Sequence, residues 1–264
     1  MPAGRFIVEG LMLAPRAEVE LSPELAHQVR DVLRLGPGDT LRLLDGAGGE
    51  CTATLLAVER KHVVVRLGEH EEGQAESPVR IVLCQGMLKA AKYEVILQKC
   101  TELGVSRFIP LLTERAVAAV EEASESKRRR WRKIVAEAVE QCGGSRLPEL
   151  DAPQPLMHAL ASMPPGALAL IPWEREYSAS LRASVERAIA APGRLEDIPE
   201  VRLFIGPEGG FADGEIALAE RHGASPVTLG PRILRAETAA IVATALTLDV
   251  FRFYRSELAE GSTT

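Results

Sequence analysis

Leu203-Phe204-Ile205-Gly206-Pro207-Glu208-Gly209-Gly210-Phe211 is an apolar run that passes straight into a glycine-rich turn and then into a helix beginning near Asp213. Glycines at three of five positions let backbone approach a ligand closely. In a parallel sheet such a turn stands at the carboxyl end of a strand, where ligands bind. A second segment repeats the plan: Val227-Thr228-Leu229 leads through Gly230-Pro231 into Arg232-Ile233-Leu234-Arg235-Ala236-Glu237-Thr238, where a long helix over Ala236 to Phe253 begins. Two strand-to-loop turns therefore converge from one sheet edge on a candidate pocket. Neither is a P-loop, because no Gly-Lys-Ser or Gly-Lys-Thr follows, and neither has the spacing of a dinucleotide fingerprint. Gly46-Ala47-Gly48 begins like that fingerprint, but Cys51 holds the third glycine position and strand signals flank it, so it reads as a hairpin turn.

Outward from these motifs, short apolar runs at Ile81 to Cys84, Arg107 to Leu112, Ala167 to Ile171, Val201 to Ile205 and Pro226 to Leu229 read as strands. Helical periodicity separates them. One helix places Val95, Ile96, Cys100 and Leu103 on a face and closes at Gly104. Another carries Trp131, Ile134, Val135, Ala138, Val139 and Cys142 and ends at Gly143-Gly144. This alternation predicts an α/β domain whose mostly parallel sheet is covered on both faces.

The first 70 or so residues differ. Strand-like runs at Arg5 to Glu9, Asp39 to Gly46, Thr52 to Leu56 and Lys61 to Leu67 predict a small β-barrel or sandwich. Ser22-Pro23-Glu24 starts a single helix within it, with Ser22 as cap. Residues 68 to 78 are polar and acidic like a linker, which sets domains at 1–72 and 77–264.

The net charge of −6 argues against holding nucleic acid by bulk positive charge, so any polyanion site must be local. Residues 126 to 146 supply one: Lys127, Arg128, Arg129, Arg130, Arg132, Lys133 and Arg146 face only Glu137 and Glu140. Lys89, Lys92 and Lys99 form a second cluster, and Arg30 and Arg34 add to it from the amino-terminal domain. Cys51, Cys84, Cys100 and Cys142 are scattered, without zinc-ligand spacing, which predicts no metal and reduced thiols in a cytoplasm. No apolar stretch is long enough to cross a bilayer, so no membrane partner is expected.

GPEGGF at 206 to 211 followed by LGPRILRAETAA at 229 to 240 resembles the SPOUT methyltransferases, and more narrowly the RsmE family. His27, Val32-Leu33-Arg34 and Pro37-Gly38-Asp39 agree with that family's amino-terminal domain. Gln98 to Val105, Trp131, Glu140-Gln141-Cys142, Arg146 and Pro148 agree with its catalytic domain. The resemblance implies a PUA-like β-barrel joined to a SPOUT domain with a carboxyl-terminal trefoil knot, where topology rules alone give an ordinary doubly wound sheet. It implies a homodimer that methylates N3 of a uridine, 1498 in standard rRNA numbering, in 16S rRNA of the small ribosomal subunit, with S-adenosyl-L-methionine as donor.

The family pattern maps the cofactor pocket onto Leu170, Ile171, Pro172, Gly206, Glu208, Gly209, Gly210, Leu229, Gly230, Ile233, Leu234 and Thr238. Leu229, Ile233 and Leu234 suit an uncharged adenine plane. Glu208 either meets ribose hydroxyls or bonds turn N–H groups. Two positions depart from the pattern: Ala236 stands where the family has Thr, and Ala212 where it has a capping Ser opposite Glu215. Uridine N3 carries a proton at neutral pH, so the reaction needs a base or groups that stabilise the anion. Arg235 fits the second role, Glu237 is a candidate base, and Arg146 is a candidate for catalysis or RNA contact. The basic residues Arg30, Arg34, Lys89, Lys92 and Lys99 are expected to hold the RNA strand, with the target base unpaired or flipped. Two rivals remain: a SPOUT enzyme acting on a tRNA base or ribose 2′-hydroxyl, and a ribosome-assembly RNA-binding protein without turnover.

Overall fold

The computed structural model describes residues 4–60, 62–73, 77–116, 125–190 and 197–261. Its contacts divide the chain into two compact units, Met1–Glu76 with Ala136–Leu147, and Ser77–Val135 with Pro148–Thr264.

The first unit holds β1 (Arg5–Ile7), β2 (Glu18–Glu20), α1 (Pro23–His27), β3 (Thr40–Leu44), β4 (Gly49–Val58) and β5 (Val63–Glu72). The sheet order is β1-β3-β4-β5-β2, with β1 and β3 parallel and the other pairs antiparallel. Ser22 caps α1 as its sequence predicts, its Oγ accepting from the Leu25 N–H at 3.3 Å. The helix then widens into a π-turn over Gln28–Val32. Val29 from that turn is fully buried among Leu41, Leu43, Val63 and Val65 of the sheet. Gly46 to Gly48 form the expected hairpin turn, and Asp45 Oδ1 locks it by accepting from the Ala47 and Gly49 N–H groups at 2.7 and 2.9 Å.

The polar stretch from Gly68 to Glu72 is strand and not linker, because its backbone pairs with β4 whatever its side chains are. Lys61 and residues 74–76 lie outside the described residues. Residues 136–147 complete this unit: the Ile7 N–H donates to Glu140 Oε1 at 2.9 Å, and the Arg5 guanidinium donates to the carbonyls of Gly143 and Gly144, both at 3.1 Å, and to Glu50 at 2.7 Å. Burial pushes the Glu140 carboxyl up from its ordinary value, against the lowering effect of the Ile7 bond.

In the second unit, β6 (Ile81–Gly86), α2 (Ala90–Leu103), β7 (Arg107–Leu112), α3 (Glu125–Cys142, whose final turns belong to the first unit), β8 (Glu149–Leu150), β9 (Gln154–Pro155), α4 (Leu156–Ala161), β10 (Leu168–Pro172), α5 (Leu181–Ile189), β11 (Val201–Ile205), α6 (Asp213–Arg221), β12 (Ser225–Val227) and α7 (Ala236–Gly261) follow in order. The strands form one sheet in the order β12-β10-β11-β6-β7-β8, with β9 also on β7, and every pairing is parallel.

Val82, Cys84, Ala169, Ile171 and Phe204 face a core shared with α4 and α6. Helices α2, α5 and α7 pack together, and α7 also meets β6 and β11. Near-continuous apolar strands are the mark of a parallel sheet buried on both sides, and β11 is buried along its whole length.

Helix α2 buries Tyr93, Ile96, Leu97, Cys100 and Thr101, whereas Val95 is exposed, so the predicted face is rotated by part of a turn. It stops at Gly104, whose N–H donates to the Cys100 and Thr101 carbonyls. In α3, Trp131, Val135, Ala138 and Val139 are buried as their spacing predicts, but Cys142 is exposed. The other three thiols are buried, and burial pushes that of Cys100 up to about 12. Such thiols are poor nucleophiles. No helix among the described residues is long and apolar enough to cross a membrane.

Candidate active site

Strands β12, β10 and β11 are adjacent and parallel, so the loops that leave their carboxyl ends meet at one sheet edge. They enclose a cavity of about 870 Å³. The loop after β10 contributes Pro172, Trp173, Glu174, Glu176 and Tyr177; the loop after β11 contributes Gly206 to Phe211; the loop after β12 contributes Thr228 to Arg235. Ile205 of β11, Lys92 of α2 and Ala236 and Ala239 of α7 complete the lining.

The glycine turn is held from behind. Gln85, fully buried at the end of β6, donates from Nε2 to the Gly206 carbonyl at 3.2 Å. Arg115 donates from one guanidinium nitrogen to the carbonyls of Gly209 at 3.1 Å and Phe211 at 3.3 Å. Gly210 has φ +67°, a conformation that favours glycine, and a Cβ there would lie 3.1 Å from Glu174 Oε1, close enough that this side chain would have to give. Helix α6 starts without a side-chain cap at Ala212; half of a capping box survives, because Glu215 Oε2 accepts from the Ala212 N–H at 2.9 Å. Asp213 does not replace the cap, since its carboxylate pairs with Arg175 at 2.9 Å.

The loop after β10 is equally well fixed. Trp173 N–H donates to the Val227 carbonyl at 3.0 Å. Glu176 Oε1 accepts from the Ser178 hydroxyl at 2.6 Å and from the Ser178 and Ala179 N–H groups at 2.7 and 2.9 Å. These bonds, led by the Ser178 hydroxyl, hold the Glu176 carboxyl at about 2. Trp173 Nε1 is buried with no hydrogen-bond partner among the described residues.

Of the residues singled out in the sequence, the cavity gathers Lys92, Pro172, Gly206, Glu208, Gly209, Gly210, Leu229, Gly230, Ile233, Leu234 and Arg235. Leu170 and Ile171 do not line it; they are fully buried in β10 beneath the loops. Thr238 is exposed on the first turn of α7, also outside the lining. Glu237 is half-buried there, with Oε2 shielded and without a partner among the described residues. Glu208 meets Lys92 Nζ at 3.0 Å, so neither reading of its carboxylate is complete without that lysine.

Lys89 is exposed as the cap residue of α2, and Lys99 pairs with Glu102 at 2.8 Å. In the first unit Arg30 is tied to Asp31 and to the carbonyls of Glu59 and Arg60, whereas Arg34 is exposed with φ +57°. Arg146 bridges to Gly46 and Ala47, and its guanidinium lies over Gly48, where a Cβ would approach within 2.6 Å. Arg128 pairs with Glu125 and Arg130 with Glu94, so that run is partly neutralised.

Sequence reasoning missed Trp173, Glu174, Glu176, Tyr177, Gln85 and Arg115. A usable signal existed for four of them: the Ala167 to Ile171 strand runs into Pro-Trp-Glu, a third strand-to-loop turn at the same edge.

Comparison with known proteins agrees with this geometry. Residues 75–248 match a family described as RNA methyltransferase domain, and residues 29–68 match one described as RNA methyltransferase PUA domain. The chain is 38% identical over 241 residues to ribosomal RNA small subunit methyltransferase E of a Synechocystis strain, spanning 89% of this chain and 75% of that relative. It is 29% identical to the protein of the same name from Bacillus subtilis, across 91% of each. The crystal structure of a ribosomal RNA small subunit methyltransferase E from Neisseria gonorrhoeae, bound to S-adenosyl methionine, superposes with a TM-score of 0.77 at 30% identity, over 92% of this chain and 95% of that one. On these grounds the chain belongs to the ribosomal RNA small subunit methyltransferase E family.

Proposed function

We propose that this protein transfers a methyl group from S-adenosylmethionine to N3 of a uridine in 16S rRNA of the small ribosomal subunit, at the position corresponding to 1498. The observation that carries the reading is the cavity formed where three neighbouring parallel strands end, with the Gly206 to Gly210 turn as one wall. The residues present fit the cofactor. About 870 Å³ suits a ligand of that size. Leu229, Ile233 and Leu234 supply apolar walls for adenine, Pro172, Gly206, Gly209, Gly210 and Gly230 bring backbone polar groups close, and the indole Nε1–H of Trp173 is a shielded donor without an acceptor among the described residues. Leu170 and Ile171 support the site from within β10, and Thr238 stands on α7 outside the lining.

When bound, S-adenosylmethionine supplies an electrophilic methyl group on a sulfonium, so the chain's own task is to orient the acceptor and manage its proton. Arg235 lines the cavity without an ion pair among the described residues, which leaves its guanidinium available to stabilise negative charge on the uracil carbonyls. Glu237 is the base this reading keeps, on the strength of its shielded oxygen without a partner among the described residues; it stands on the first turn of α7, beside the cavity and outside its lining. The amino-terminal domain and the basic residues Arg30, Arg34, Lys89, Lys92, Lys99 and Arg146 hold the RNA strand. The same reading includes a trefoil knot in the carboxyl-terminal segment, a homodimer and a cytoplasmic location.

The test is transfer of labelled methyl groups to small ribosomal subunits that lack the modification. Incorporation that depends on Arg235 is expected. Cofactor binding without incorporation into those subunits would move the acceptor to another RNA, and absence of binding would favour an assembly protein without turnover.

A further inference from the structure

Three carboxylates line the cavity, and the structure accounts for two of them. Glu208 is neutralised by Lys92 at 3.0 Å. Glu176 is consumed by the three hydrogen bonds that fix its own loop. Glu174 has neither an ion pair nor a hydrogen bond among the described residues, yet its two oxygens stand 3.1 and 3.3 Å from the point that a Cβ on Gly210 would occupy. The neighbouring cation, Arg175, is committed elsewhere, to Asp213 at 2.9 Å and to the face of Trp173 at 5.9 Å from the ring centre. A carboxylate is thus placed, exposed, over the glycine turn on a loop held at both ends by the Trp173 and Thr228 backbone bonds, with no counterion among the described residues. An anion so placed is matched best by a cation that the ligand brings.

We infer that Glu174 is the seat of the α-ammonium group of the cofactor's methionine moiety. This inference rests on the cofactor reading above and adds to it the residue that distinguishes an amino-acid-bearing nucleoside from a plain one. Adenine and ribose are uncharged and are served by the apolar and backbone groups of the other two loops. The sulfonium carries no N–H or O–H, so it gives a carboxylate charge without a hydrogen bond, whereas an ammonium gives both.

The experiment is calorimetric titration of the wild-type protein and the Glu174→Gln variant with three probes: S-adenosylmethionine, S-adenosylhomocysteine and 5′-methylthioadenosine. The second probe keeps the ammonium and lacks the sulfonium; the third keeps adenine and ribose and lacks the amino acid. The expected result is a rise of about tenfold or more in Kd for the first two in Glu174→Gln and no change for the third. Equal weakening of all three would place Glu174 at the ribose. Weakening of S-adenosylmethionine alone would place it at the sulfonium. No change for any probe would overturn the assignment outright while leaving the cofactor reading intact. Failure of the wild-type protein to bind any probe would instead overturn the cofactor reading, and this inference with it. Glu174 is exposed, so the variant is expected to melt with the wild type, which a thermal scan verifies.

Discussion

Lys92 Nζ lies 3.0 Å from Glu208 Oε1, joining the first turn of α2 to the glycine turn after β11. The pair is part-exposed, at 36% and 28%, so its direct contribution to folding is small, below about 1 kcal/mol. Its value lies in where it holds the turn. If bracing is its main role, Lys92→Ala and Glu208→Ala should weaken cofactor binding by similar factors, and the double variant should be no worse than either. A double-mutant cycle on Kd checks this. Fully additive losses would mean that the two side chains act on the cofactor independently, and a loss confined to Glu208→Ala would leave Lys92 to the RNA.

Arg115 supplies the second brace, through the carbonyls of Gly209 and Phe211. Hydrogen bonds from a charged donor contribute roughly 1.5–3 kcal/mol. Arg115→Ala should therefore lower the melting temperature by a few degrees and, by loosening the turn, raise the cofactor Kd as well. A drop in melting temperature with unchanged Kd would make Arg115 a folding residue only.

Glu176 predicts a pH signature. Its carboxyl is held at about 2 in the folded chain against 4.5 for the free group, so the unfolded chain binds the extra proton first as pH falls. The stabilisation is complete above about pH 5 and disappears as pH drops through the folded value. The difference in melting temperature between wild type and Glu176→Gln should be largest at neutral pH and shrink toward pH 2. A difference independent of pH would show that the charge on Glu176 does not matter.

Arg235 and Arg146 should separate in kinetics. Arg235→Ala is expected to lower kcat by about 10²-fold or more with cofactor affinity near normal, the pattern of a group that acts on developing charge. Arg146→Ala should also lower activity and leave cofactor affinity alone, acting through RNA. Parallel loss of cofactor binding in either variant would count against these roles.

Much of this was legible in the residues. The limits of β7 and β11 follow from Arg107 to Leu112 and Val201 to Ile205, because a strand buried on both faces leaves a mostly apolar run, broken in β11 only by Arg202, which is buried against Glu200. The glycine turn and the loop after β12 stood out for the same reason: strand runs ended abruptly in Gly and Pro. Less legible was anything that depends on backbone pairing or partner accounting. Gly68 to Glu72 read as linker because their side chains are polar, although β4 supplies their hydrogen bonds. The periodicity of α3 is continuous through Val135 and Ala136, so nothing in it marks where the helix passes from one unit to the other. Val95 and Leu97 are equally apolar, and only the packing of α2 decides which is buried. Glu174 and Glu176 are two residues apart and chemically alike; that one is consumed by its own turn and the other is not follows only from the folded loop.

The cavity at the ends of β10, β11 and β12 is proposed to serve methyl transfer to uridine N3. Nucleoside analysis by mass spectrometry of 16S rRNA, after incubation of unmodified small subunits with the protein and S-adenosylmethionine, tests it most directly. 3-Methyluridine is expected as the sole new methylated nucleoside, and its loss is expected with Arg235→Ala. A methylated ribose or a different methylated base would contradict the proposed reaction.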